Sequence, residues 1–277
     1  MITTVTLNPA LDMTLGVKEF RPDDSNRVEW VLKHPGGKGI NVSRILTVFG
    51  EQVNTIAFLG GYAGQQLREL LKKEGVLLWE VEAAQETRTN VTFVVEKDKT
   101  QTRLNKRGSE IKLKELKSLF NLIASVGDNS TFIVISGSLP PNANKDTYYR
   151  IMNLIRRNSR EVKIILDADG EALAEGLRAK PFLVKPNAHE LERLLRRKLR
   201  TEADICKAIH EVQKMGAENV VVSLGAEGAI ALTRDGKCFR VAGPKVKVVS
   251  TVGAGDAFVA GLIYKLDKGG DIQDALI

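Results

Sequence analysis

Apolar runs that read as strands alternate along this chain with segments whose apolar residues recur every three or four positions, the spacing of a helix. Residues 2–7 are a β-rich start, 39–49 carry a helical pattern, and 53–59 read as a strand. Helix returns at 65–73, with Leu67, Leu70 and Leu71 on one face. From Lys112 the order becomes regular. Helical 113–125 precedes strand-like 132–135, helical 146–157 precedes 162–166, and helical 170–177 precedes the short 182–184. Two more helical stretches lead to 220–223 (Val-Val-Val-Ser), near-continuously apolar as a strand buried on both faces should be. This order predicts an α/β fold with a mostly parallel sheet and helices on both faces.

Two stretches, 15–33 and 90–105, break the rhythm with β-like alternation and no intervening helix. The second divides into 91–96, a Lys97-Asp98-Lys99 turn, and 100–104. They predict hairpins of a small antiparallel sheet projecting from the main body. Such a sheet is either decoration or a lid, and its position beside the polar loops described next favours a lid spanning about 13–35 and 88–107.

The strongest motif is Ser250-Thr251-Val252-Gly253-Ala254-Gly255-Asp256-Ala257-Phe258, between strand-like 246–249 and an apolar helix containing Phe258, Leu262 and Leu266. Its two glycines bring bare backbone N–H groups to a helix start, where a partial charge of roughly half a unit favours an anion. Asp256 there has two readings. It takes a proton from a hydroxyl that attacks phosphorus while the amides hold the transferring charge, or it is a first-turn carboxylate that stabilises the helix dipole. The segment is not a dinucleotide fingerprint, because Phe258 stands where the third glycine belongs, and no Gly-x4-Gly-Lys-Ser/Thr occurs in the chain. Any nucleotide must be held differently.

Four further loops carry polar chemistry. Gly36-Gly37-Lys38-Gly39-Ile40-Asn41 allows close approach of a polar ligand, or is merely a turn opening a helix. In Lys185-Pro186-Asn187-Ala188-His189-Glu190, Asn187 and Glu190 imitate a capping box, while Glu190 also suits a magnesium hydration shell. Ser223-Leu224-Gly225-Ala226-Glu227-Gly228 ends a strand, as ligand loops of open α/β sheets do, or is a plain hairpin turn. Thr87-Arg88-Thr89-Asn90 offers one arginine suited to bidentate phosphate contact.

Composition narrows the classes. In 277 residues, 43% hydrophobic and 27% charged describe a globular chain rather than a disordered one. The net charge of +7 permits anionic partners. The densest basic run, from Arg193 to Arg200, lacks interleaved aromatics or a recognition motif and reads as a solvated helix face, so no nucleic-acid partner is expected. Cys206 and Cys238 lie far apart in the sequence without a CxxC pair, which argues against a metal cluster or disulfide framework and for a reducing compartment. With no signal-peptide pattern at the start and no bilayer-length apolar run, a soluble, cytoplasmic protein with no membrane partner is expected.

Together the motifs resemble the ribokinase-like sugar kinases of the PfkB family, and within it the 1-phosphofructokinases. The matching stretches are 4–12 (Thr-Val-Thr-Leu-Asn-Pro-Ala-Leu-Asp), 36–42, 87–90, 135–140, 184–187, 223–228 and 249–256, in the family's order. The resemblance implies a single three-layer αβα sandwich over 1–277 with a small antiparallel β-lid, which in relatives often pairs with the lid of a second subunit. It implies ATP and Mg²⁺, with a hexose phosphate as acceptor: fructose 1-phosphate first, tagatose 6-phosphate or fructose 6-phosphate as alternatives. A non-catalytic sugar-phosphate binder is the competing class. Carried over, Asp256 is the base and Gly253, Ala254 and Gly255 form the anion hole. Asp12, Gly37, Lys38, Asn41, Arg88 and, more loosely, Arg107 grip the sugar phosphate. Lys185, Asn187, Ser223, Gly225 and Gly228 line the ATP site, with Glu190 beside Mg²⁺. Relatives continue with further helices that wall the adenine pocket, and the chain is expected to lack these beyond Ile277.

Overall fold

The computed structural model describes residues 1–127, 129–159, 161–247 and 252–276. In its central sheet, β1 (Ile2–Thr6), β4 (Val53–Leu59), β5 (Leu77–Glu82), β8 (Phe132–Ser136), β9 (Lys163–Asp167), β10 (Leu183–Val184) and β11 (Asn219–Ser223) run parallel. β12 (Ala229–Leu232) and β13 (Cys238–Val241) add an antiparallel edge, giving the order β13-β12-β11-β10-β9-β8-β1-β4-β5.

Alternate residues of β8, β9 and β11 enter two different cores, which is why their apolar runs are nearly continuous. Ile133, Ile135, Ile164, Leu166, Val220 and Val222 pack on one face with α3 (Leu113–Gly127), α4 (Thr147–Asn158), α5 (Gly170–Leu177), α6 (Ala188–Leu195) and α7 (Glu202–Met215). Phe132, Val134, Ile165 and Val221 pack on the other with α1 (Lys38–Val48) and α8 (Ala254–Asp267), and α2 (Gly61–Lys73) covers β4 on that side. Each fully buried aliphatic side chain contributes about 1.5–3 kcal/mol relative to exposure, so the two cores hold the sheet as a rigid platform.

The second sheet has the order β3-β2-β6-β7, from β2 (Ala10–Val17), β3 (Trp30–Gly36), β6 (Arg88–Val95) and β7 (Thr100–Leu104). Both expected hairpins are present, each antiparallel within itself, and they join through a parallel β2–β6 pair. β2 begins at Ala10, earlier than the alternation suggested, because its first two residues are buried against the main body. Two edge strands, β5 and β13, escaped the sequence reading; five of six residues in β5 and all four in β13 keep some exposure, so no apolar run marks them. α2 starts at Gly61, since Gly61-Tyr62-Ala63-Gly64 carries no periodic apolar signal. Of the strand read at 246–249, Val246 and Lys247 form no strand and the rest lies outside the described residues, as do Ser250 and Thr251.

Candidate active site

The parallel strands all point the same way, so β1, β8, β9, β10 and β11 end along one edge, at Thr6, Ser136, Asp167, Val184 and Ser223. That carboxyl edge is where open α/β sheets bind ligands, and the polar loops gather on it.

Gly253 adopts φ 74, the left-handed conformation glycine tolerates, and caps α8. The first intrahelical bond runs from Ala257 N to Gly253 O at 2.8 Å, so the amides of Ala254, Gly255 and Asp256 have no acceptor within the helix. Ala254 and Gly255 are exposed, while the Asp256 side chain turns inward and is buried. Asn41, one turn into α1, donates its Nδ2 to Asp256 Oδ2 at 2.7 Å. Burial pushes the Asp256 carboxyl up to about 6; the Asn41 bond, Lys38 and Lys185 oppose the rise, and Asp167 adds to it. A carboxyl that titrates near neutrality is suited to accept a proton at physiological pH.

Beside it, three elements converge on Asp167. Lys38, the first residue of α1, donates its Nζ to Asp167 Oδ1 at 3.0 Å and to Glu190 Oε1 at 3.4 Å. Lys185, following β10, places its Nζ 3.7 Å from the same Asp167 oxygen. A Cβ built on Gly255 would lie 3.6 Å from that ammonium, so Lys185 also adjoins the α8 start. Burial works against the charge on Lys38, yet Asp167, Glu190 and Asp256 together hold its pKa above the ordinary lysine value. Asn187 and Glu190 do form the capping box: Glu190 N donates to Asn187 Oδ1 at 2.8 Å, and Asn187 N to Glu190 Oε2 at 2.9 Å. The second Glu190 oxygen remains for Lys38, so cap and charge site coexist. Among the described residues Asp167 Oδ2 is buried without a partner, and so are the hydroxyls of Ser136 on the adjacent β8 and Thr6 on β1 beyond it.

In the second sheet, Asn90 Nδ2 donates to Asp12 Oδ1 at 2.8 Å across the β2–β6 pair. Burial raises the Asp12 carboxyl, against that bond and the charges of Arg88, His34 and Arg44. Gly36 meets this carboxylate directly, since a Cβ there would fall 2.3 Å from Asp12 Oδ2. Gly37, at φ 119, turns the chain into α1 and packs on Thr6 and Pro9. Arg88 gives one N–H each to the carbonyls of Asn8 (2.9 Å), Lys106 (2.8 Å) and Pro9 (3.4 Å), which leaves two of its five donors. Arg107 is exposed; its carbonyl accepts from Asn8 Nδ2 at 2.9 Å, and no ion pair engages its side chain among the described residues.

The third group lies along β11. An isolated bridge links Asn187 to Ser223, and Ser223 N donates to Pro186 O at 3.1 Å, which ties this loop to the Lys185 segment. Gly225 and Gly228 take φ 63 and 96. A Cβ on Gly228 would fall 2.0 Å from Val241 O, so any side chain there forces the turn to shift.

Sequence reading missed Asp167, Asn8, Asn90 and Ser138 as site residues. Asn8 and Asn90 lay inside the motifs quoted for other residues, and Ser138, which accepts from Asn8 Nδ2 at 3.1 Å, inside the 135–140 match. Asp167 sits in no motif; the signal that would find it is an acidic residue closing a buried strand.

A model of the pfkB family carbohydrate kinases matches residues 6–277. The chain is 35% identical over 275 residues to the 1-phosphofructokinase of Borreliella burgdorferi, covering 99% of this chain and 88% of that protein. It is 36% identical over 265 residues to a tagatose-6-phosphate kinase of Staphylococcus epidermidis, covering 95% and 84%. Escherichia coli phosphofructokinase-2 in complex with fructose-6-phosphate matches with a TM-score of 0.92 at 33% identity, covering 99% of this chain and 89% of that one. Fold, motif order and sequence likeness over nearly the whole length agree: the chain belongs to the pfkB family of carbohydrate kinases.

Proposed function

We propose that this chain transfers the γ-phosphoryl group of ATP to a hydroxyl of fructose 1-phosphate, giving fructose 1,6-bisphosphate and ADP. The observation that carries the reading is Asp256, a buried carboxyl with a pKa near 6, set in the first turn of α8 beside exposed amides. As the acceptor oxygen attacks the γ-phosphorus, its proton passes to Asp256; the new O–P bond forms while the bond to the β-phosphate oxygen breaks. The amides of the 253–255 turn, with Lys185 beside them, stabilise charge on the transferring group. A positioned base of this kind contributes roughly a hundred- to ten-thousand-fold in rate, and orientation and electrostatics supply most of the remainder.

Asn41 orients the base. Asp12 and Gly37, with the remaining Arg88 donors and Arg107, hold the sugar phosphate beneath the lid. Asn187, Ser223, Gly225 and Gly228 line the ATP side. Asp167 and Glu190 present an all-oxygen donor pair suited to Mg²⁺, and the partnerless Asp167 Oδ2 supports that fit. Bound Mg²⁺ would neutralise charge on the phosphates. Residues 1–277 act as one kinase domain with the four-stranded sheet as its lid. Val28, Val31, Leu32 and Leu104 in and beside that lid are about half exposed, which supports lid-to-lid pairing in a homodimer. No helix among the described residues is long and apolar enough to cross a membrane, in keeping with a cytoplasmic enzyme.

The 1-phosphofructokinase relative favours fructose 1-phosphate. The tagatose-6-phosphate kinase relative supports a second reading, tagatose 6-phosphate as acceptor. A coupled ADP-release assay with fructose 1-phosphate, tagatose 6-phosphate and fructose 6-phosphate separates them by kcat/KM. A preference for either 6-phosphate overturns the acceptor assignment, and no ADP above background from any of the three overturns the kinase reading.

A further inference from the structure

Lys38 is held by carboxylates. Its ammonium is 3.0 Å from Asp167 Oδ1 and 3.4 Å from Glu190 Oε1, between two carboxylates from different elements, the end of β9 and the first turn of α6. Both carboxylates are buried, with side chains 1% and 10% exposed, whereas the Lys38 side chain keeps 33%. Two buried carboxylates facing one another need a cation between them, because their mutual repulsion in a poorly solvated site is otherwise uncompensated. Lys185 supplies part of that charge, but at 3.7 Å from Asp167 and with its side chain 3% exposed it is fixed in place. Lys38 is the only one of the two ammonium groups with a route to solvent.

We propose that the Lys38 ammonium is a built-in counter-ion that occupies the Asp167–Glu190 pair in the nucleotide-free chain, and that a divalent cation and Lys38 compete for this pair. The proposal rests on the kinase reading for the presence of a divalent cation, and adds to it a lysine that the cation must displace. A second, independent feature points to a ligand at the same place: among the described residues Asp167 Oδ2 is buried with no hydrogen-bond partner, so Lys38 satisfies only one of the two oxygens. A divalent ion can engage both Asp167 oxygens at once, whereas the two ammonium groups both contact Oδ1.

Displacement has a consequence for the neighbouring base. Lys38 and Asn41 are three residues apart at the start of α1, on the same helix face, and Asn41 bonds Asp256. Lys38 already acts electrostatically on Asp256 and lowers its pKa. Released from the carboxylates, its ammonium stays tethered at the α1 start, next to the base and the exposed amides of α8. Cation entry thereby delivers a mobile positive charge to the position where the transferring group lies, and the site assembles only when the metal is present.

The test uses the full-length, nucleotide-free protein with Mn²⁺ as the probe, its free concentration read by electron paramagnetic resonance. Lys38→Met should bind Mn²⁺ at least tenfold more tightly than wild type, Lys38→Arg should stay close to wild type, and adding Glu190→Gln to Lys38→Met should abolish the gain. Unchanged or weaker binding in Lys38→Met overturns the proposal, as does a gain that survives Glu190→Gln. Should Lys38→Met fail to fold, lysine acetylation of the wild type followed by mass spectrometry gives the same answer. Mn²⁺ should raise the labelling of Lys38 severalfold, and labelling that is unaffected or reduced overturns the competition. Neither measurement involves sugar or nucleotide, so its failure is distinct from failure of the ADP-release assay.

Discussion

Asp256→Asn should abolish turnover and at the same time make the protein more stable. Burial holds the carboxyl at about 6 against an ordinary value of 3.8, a shift of roughly 2 units, and each unit corresponds to about 1.36 kcal/mol. The sign follows from proton linkage. A raised folded-state pKa means that the native protein binds the proton more tightly than the unfolded chain. Stability from this group is therefore fully present below pH 4, is lost as pH rises from about 4 to about 6, and is absent above. Above pH 6 the fold carries an ionised, poorly solvated carboxylate at a cost of roughly 3 kcal/mol. Asparagine removes the charge, keeps the shape, and keeps an oxygen to accept from Asn41.

Chemical denaturation of wild type and variant should then give equal stabilities near pH 4 and a gain of roughly 3 kcal/mol for the variant at pH 8, or about 5 °C or more in Tm. The same titration fixes the acid limb of the wild-type kcat/KM, which should fall tenfold per pH unit below about 6. A variant that is no more stable at pH 8 than at pH 4 relative to wild type refutes the reasoning, and so does an Asp256→Asn protein that still turns over.

Three further outcomes follow from particular contacts. Asp167→Asn strips the anion from Lys38 and the buried Lys185, so it should cost about 3–5 kcal/mol in denaturation at pH 7. It should also move the acid limb of activity to lower pH, because Asp167 is one of the causes that raise Asp256; an unmoved limb argues against that coupling. Gly228→Ala puts a Cβ 2.0 Å from Val241 O at φ 96 and should lower stability by about 1–3 kcal/mol, measured by thermal unfolding, where a neutral result shows that the turn yields. Cys238, its thiol pKa raised by burial and by the neighbouring Cys206, should alkylate with iodoacetamide at pH 7 more slowly than a free thiol and faster in Cys206→Ser. Equal rates in the two proteins would exclude that influence.

The parts of the fold legible in the sequence are those where a single segment carries its own signal. The run at 220–223 is apolar because both faces of β11 are buried, and Gly253 announces a helix start because its left-handed φ of 74 suits glycine. What stayed hidden depends on convergence. Asp167 is one of 34 acidic residues, and nothing around it distinguishes it until β9, the start of α1 and the end of β10 bring two ammonium groups to its carboxylate. The parallel β2–β6 pair joins strands about 70 residues apart in the chain, beyond the reach of any hairpin rule. Cys206 and Cys238 meet for a similar reason: β13 returns antiparallel along β12 to lie beside α7, where Arg240 bonds Glu202 at 2.7 Å one turn and two residues away from the two thiols.

Arg88 marks the opposite case, a residue that its motif singles out but whose backbone partners the motif does not announce. Its guanidinium spends three donors on the carbonyls of Asn8, Pro9 and Lys106, so most of its hydrogen-bonding capacity goes into the fold. The guanidinium thereby ties three backbone segments together, its own strand β6, the β1–β2 connection and the loop after β7. That bracing is a property of the assembled site which no single motif carries.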